Sequence, residues 1–186
     1  MADLSNIFWN EFPADAEPED LVSKNFLFIE LTKSEIATRQ GIANGFPSVN
    51  ELRCAVYLCR NVLQPVREKF GRYTPNSVFR SQDLERALKN MPSSWRSDSQ
   101  HTIGQACDIE VLAATNMKLA RWVRDNLEFD QLILECYSAE EGPNSGWVHI
   151  SVRPPGHGNN RKQILSYVKN PQTRKFEYVQ ELVETP

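Results

Sequence analysis

The apolar residues Leu52, Val56, Cys59, Leu63, Val66 and Phe70 recur three or four positions apart, the spacing that lays one stripe along a helix. Ser48 with Glu51 forms a capping box at its start, and Gly71 closes it. Pro65 falls inside the pattern, where a missing N–H and a bulky ring predict a kink. A stripe this regular has to be covered. The helix therefore belongs to a core and needs a second layer to pack against.

That layer comes later in the chain. Residues 105–111, 131–137 and 147–152 read as strands, and 163–181 as a hairpin across Asn170-Pro171. Residues 117–127 read as an amphipathic helix with Leu119, Ala120, Val123 and Leu127 inward. Gly142, Pro143, Asn144 and Ser145 mark the turn between the second and third strands. Upstream, Thr32 with Glu35 predicts a short helix that Gly41 ends. A brief extended run at 77–79 leads through Arg80 to a polar helix at 83–89. Helices come first and a small antiparallel sheet follows, so the fold class is α+β.

A chain of 186 residues is the size of one ordinary domain. Its formal net charge of −3 gives no electrostatic footprint for nucleic acid, and no apolar run approaches the ~20 residues that span a membrane. No basic residue precedes Lys24 and no long apolar run follows, so no secretory signal is expected. Residues 1–23 read as an acidic tail ahead of a domain at 24–186. The tail carries Phe8, Trp9 and Phe12, which predict docking onto the chain's own domain or onto a partner. Cys54, Cys59, Cys107 and Cys136 include no CxxC pair and read as reduced, buried thiols.

Chemistry concentrates in two stretches. Ser99 to Asp108 reads Ser-Gln-His-Thr-Ile-Gly-Gln-Ala-Cys-Asp, with His101 in a loop and Asp108 on the strand it enters. Gly104 and Ala106 are small enough for the backbone to fold back between them. Asp108 interrupts an apolar strand, where an unpaired carboxylate is costly to bury. Gly-Trp-Val-His-Ile-Ser then places His149 mid-strand. Two imidazoles and a carboxylate make a three-ligand metal site with a position open for water. Antiparallel pairing across the Gly142 turn sets Glu135 roughly opposite His149, on the same face of the sheet, as the candidate general base. Glu140 and Glu141 compete for that role from the turn. His157, in Pro-Gly-His-Gly-Asn, reads as solvent-exposed.

These motifs resemble the zinc D-alanyl-D-alanine carboxypeptidase and dipeptidase family, which shares its fold with the hedgehog signalling domain. The family pattern Ser-x-His-x-x-Gly-x-Ala-x-Asp is met by Ser99, His101, Gly104, Ala106 and Asp108, and its closing Trp-x-His by Trp147 and His149. The run from Phe129 to Glu135 and the pair Asn160-Arg161 look most like the small phage and prophage branch. The resemblance covers roughly residues 26 to 170. It implies Zn²⁺ on His101, Asp108 and His149, and a peptidoglycan stem or cross-link peptide as substrate. It implies a substrate-orienting arginine, which Ser77 to Ser81 places at Arg80, with Ser99 beside it. Many members carry the basic carboxylate just before the last histidine; here those places are Asn144, Ser145 and Gly146, so the role falls on Glu135. A location in a host cytoplasm or on a virion fits a chain without a signal.

Two rival readings differ in class. The same fold serves as a non-catalytic virion component, which the aromatic tail favours. A non-haem iron oxygenase also uses two histidines and a carboxylate, but its His and Asp usually stand two apart, whereas His101 and Asp108 stand seven apart.

Overall fold

Ser34, rather than Thr32, begins the first helix. In the computed structural model, which describes residues 1–138, 141–142, 144–170 and 172–183, Ser34 is extended and its Oγ accepts from the Ala37 amide. Helix α1 (Glu35–Gln40) then ends at Gly41, whose left-handed φ of 65° suits a residue without a Cβ. Ser48 caps α2 (Val49–Leu58) where its motif predicts, but by accepting from the Asn50 amide and donating to the Glu51 carboxylate rather than through the reciprocal backbone bonds of a capping box.

Pro65 acts on the helix in a specific way. It has no N–H to offer Asn61, and the helix widens into a π turn over Cys59–Leu63, in which the Gln64 amide bonds the Cys59 carbonyl. Regular helix resumes as α3 (Gln64–Phe70). Helices α4 (Gln82–Lys89), capped by Ser81, and α5 (Asn116–Asn126), capped by Thr115, complete the set. None of the described helices is long and apolar enough to cross a membrane.

Residues 1–23 pack against the rest of the chain. Strand β1 (Leu21–Ser23) pairs with β2 (Phe26–Leu27), and Asp3 bridges to Leu21. Arg60, from the π turn, donates to the carbonyls of Val22, Leu4 and Ile7, while its guanidinium lies over the Phe12 ring. Phe12 is fully buried, and Trp9 meets Tyr57 edge to face. Phe12→Ala should therefore cost about 3–5 kcal/mol, the usual range for emptying a buried aromatic site. Urea denaturation would show it, and a loss under 1 kcal/mol would mean that the segment adds nothing to the core.

The main sheet comprises β3 (Ala106–Ile109), β4 (Gln131–Glu135), β5 (Trp147–Ser151), β6 (Gln163–Lys169) and β7 (Phe176–Gln180), in the order β3-β5-β4-β6-β7. It is mixed and not wholly antiparallel as expected, because β6 runs parallel to β4. Occupancy contributes: β5 already has β3 on one side and β4 on the other, so the chain leaving it cannot pair beside it and instead crosses to the free edge of β4. Asp130 secures that crossing by accepting from the Arg161 amide and guanidinium. The predicted closing hairpin is β6–β7, although Pro171 lies outside the described residues.

Alternation then divides the sheet's faces. Cys107, Ile109, Leu132, Leu134, Val148 and Ile150 join the core that α2 and α5 help to form. Asp108, Ile133, Glu135, Trp147 and His149 take the other face. That second face carries the chemistry.

Candidate metal centre

The site is assembled from four pieces of chain. Ser77 bridges to Asp108 in antiparallel sense, with the Asp108 amide donating to the Ser77 carbonyl at 2.8 Å. This short lateral segment brings the Val78 carbonyl to the His101 ring and carries Arg80 toward Asp108. His101 sits in a 3-10 turn (Gln100–Ile103) closed by Gly104 at φ 71°. A Cβ on Gly104 would lie 2.2 Å from the Glu51 carbonyl of α2, so only glycine lets the turn rest on that helix.

Asp108 and His149 are direct cross-strand partners on β3 and β5. Asp108 Oδ1 lies 2.9 Å from His149 Nδ1 and 3.3 Å from His101 Nε2. His101 Nδ1 meets the Val78 carbonyl at 2.6 Å, which makes that nitrogen the N–H and leaves Nε2 with its lone pair toward Asp108. Burial pushes the His101 pKa down, against the pull of Asp108, and so favours the neutral, ligating imidazole. Burial would raise the Asp108 carboxyl, yet His101 and His149 outweigh it and hold the group well below the usual carboxylate range.

Do these residues fit a metal? One ligand atom from each of His101, Asp108 and His149 lies within 4.8 Å of the others, and all three side chains are buried. Ligands about 2.0–2.2 Å from a tetrahedral ion stand roughly 3.3 Å apart, close to the separations found here. The nitrogen and oxygen donor set suits zinc. They fit.

Glu135 reaches the same cleft by a register that differs from expectation. The residue opposite His149 is Ile133, and Glu135 pairs with Trp147. The displacement is two residues, so strand alternation returns Glu135 to the face of His149, where a shift of one would have turned it away. Burial raises the Glu135 pKa, aided by Asp108 and opposed by His149 and Arg80. Gly146 makes the register possible: a Cβ there would stand 1.8 Å from the Glu135 carbonyl, and its φ is 65°. Of the competing turn carboxylates, Glu140 lies outside the described residues and Glu141 does not line the cleft.

Arg80 is held on three sides, by Ser77 Oγ at 2.7 Å, Glu85 at 3.1 Å and Asp108 Oδ2. The family resemblance implies a substrate-orienting role for it; its bonds also make it the partner of the Asp108 carboxylate. Glu85, fully buried, is gripped from the other side by Lys89 and Ser97. No local pattern marks Glu85 as part of this chain of charges, since its spacing is that of an ordinary helix glutamate. Arg80→Gln should weaken zinc binding about 10–100-fold, the usual effect of losing a group that orients a ligand. Competition with a fluorescent chelator measures this, and an unchanged affinity would limit Arg80 to substrate or packing. Ser99 lines the cleft with Arg80.

His157 is not solvent-exposed as expected. It is half-buried over α2, about 3.9 Å from Cys54 Sγ and 3.5 Å from Gln105 Nε2, because the crossing loop folds back onto that helix. It takes no part in the ligand group.

The sequence profile of the family Peptidase M15 matches residues 24–151. The chain belongs to the peptidase M15 family. No curated protein and no solved structure matches it. M15 peptidases are in general zinc-dependent hydrolases, in keeping with the His-Asp-His group. The matched span takes in His101, Asp108 and His149 together with Arg80, Ser99 and Glu135, and ends with β5.

Proposed function

We propose that this M15 peptidase uses zinc to hydrolyse peptide bonds of peptidoglycan stem or cross-link peptides. The observation that carries the reading is the buried convergence of His101, Asp108 and His149 beside Glu135 in one cleft of about 570 Å³. Zinc held there supplies Lewis acidity, making water more acidic and polarising a carbonyl oxygen. Glu135 takes a proton from the attacking water at its carboxylate and returns it to the leaving nitrogen. Its raised pKa suits both halves of that task. Arg80 fixes the Asp108 carboxylate, and with Ser99 forms the wall against which the substrate's peptide lies. Both exopeptidase and endopeptidase action are open to such a cleft.

The test is release of peptides from purified peptidoglycan by the whole chain, with and without a chelator, followed by zinc restoration. Release that stops with chelator and returns with zinc is the expected result. Peptidoglycan left intact by the zinc-loaded protein would defeat the hydrolase reading. A non-catalytic virion role rests on the aromatic tail, and those side chains are largely used within the fold: Phe12 is buried and Trp9 is packed, while Phe8 stays exposed.

A further inference from the structure

Beyond the ligand group, the cleft ends in a cluster of charge that the proposed chemistry does not use. Its centre is Asp130, with no exposed side-chain surface. Arg161 grips it through Nε at 3.0 Å and Nη2 at 2.5 Å and adds its backbone amide, while Gln100 donates from 3.1 Å. Arg153 is drawn to the same carboxylate, its Nε 3.0 Å from Asp130 Oδ1. Yet that Nε is buried without a hydrogen bond, so its tie to the Asp130 carboxylate is one of charge, while the Arg153 backbone is bonded to the Asn160 side chain.

Two guanidiniums thus face one carboxylate and leave a local surplus of one positive charge. Within the crossing between β5 and β6, Arg161 and Gln100 supply the side-chain hydrogen bonds to this carboxylate. A second arginine at the same buried acid gains little for the fold, because the carboxylate's lone pairs are already taken up. Both arginines are part-exposed, at 30% and 48%, and both line the cleft with His149 and Glu135. Gln131, which also lines it, pairs with Ser151, two residues along the sheet from the His149 row. At about 3.3 Å per residue, that is roughly 7 Å, or two residues of an extended peptide. Arginine's planar fork matches a carboxylate. Both arginines lie beyond the span that the family profile matches.

We infer that Arg153 and Arg161 form a carboxylate-recognition subsite, so that the peptide bound in the cleft presents an acidic group one to two residues from the bond to be cut. The inference rests on the peptidase reading for its substrate class. The acid can come from the peptide's C-terminus or from an acidic side chain, and the test separates these sources.

Zinc-loaded Glu135→Gln protein, which binds without turning over, is titrated by calorimetry with two peptide pairs. The first is an acetylated tripeptide ending in two D-alanines, as free acid and as amide; the second is a C-terminally amidated peptide with Glu or Gln inside. The acidic member of one pair should bind about 10–100-fold more tightly than its neutral partner, the range for a charge-assisted bond. Adding Arg153→Gln should cut that preference to a few-fold, while leaving Arg161 to hold the crossing. Arg153→Lys should restore part of it. Equal binding within both pairs, no binding at all, or a preference that persists in Arg153→Gln would overturn the subsite. Turnover by the unmodified protein is followed in parallel. Acid preference without turnover would sink the peptidase reading and leave the subsite standing.

Discussion

Glu135→Gln should lower peptide hydrolysis by about 10²–10⁴-fold, the usual share of a positioned general base, and should leave zinc content near that of the unmodified chain. The two halves of the result belong together. Glu135 lies on β4, hydrogen-bonded between β5 and β6, and contributes no atom to the His-Asp-His group, so exchanging its carboxylate for an amide of equal size disturbs neither register nor ligands. Steady-state kinetics on a defined peptide, with elemental analysis of the same sample, measures both. Turnover within a factor of three of the unmodified enzyme would remove Glu135 from the chemistry. Loss of zinc together with activity would make it part of the metal site instead.

Zinc should raise the midpoint of thermal unfolding markedly, and His149→Ala should abolish the rise. Binding to the folded chain alone, at a concentration about 100 times the dissociation constant, stabilises by about 2.7 kcal/mol. For a domain of this size each kcal/mol moves the midpoint by about 2–4 °C, giving a rise of roughly 5–11 °C. The unfolded chain has no matching affinity, because its three ligands are brought together by β3, β5 and the 3-10 turn. Scanning calorimetry with zinc and with chelator decides the matter without reference to catalysis. Identical midpoints for the unmodified protein in both conditions would show that the trio does not hold the ion.

Much of the site could be read from the sequence because its elements announce themselves locally. Asp108 stands out as a carboxylate in an apolar strand, and His149 sits where alternation must aim it away from Val148 and Ile150. Pairing across the Gly142 turn puts Glu135 on the face that the structure shows, two residues out of register, an offset that strand alternation forgives. Less local features leave no such mark. The parallel pairing of β6 depends on which strand edges remain free, and no window of residues contains that information. Phe8, Trp9 and Phe12 predict that residues 1–23 dock, but the bonds from Arg60 to carbonyls far away in sequence, which fix how they do so, leave no trace in apolar periodicity. Glu85 and Asp130 look like ordinary surface acids until their arginines are in place. Ser34 displaced Thr32 as a cap because two adjacent segments each offered a hydroxyl, and only the chain's path chooses between them.

The sheet order also bears on how the cleft can adapt. Glu135 and His149 both lie on interior strands, each fastened along both flanks. Bending of the sheet cannot draw these two groups apart without breaking ladders on either side, so their separation is preset before any ligand arrives. Accommodation of bulkier or longer guests must come from parts of the cleft outside the sheet. Residues 90–99 form no helix or strand, and Asp98 and Ser99 line the cleft.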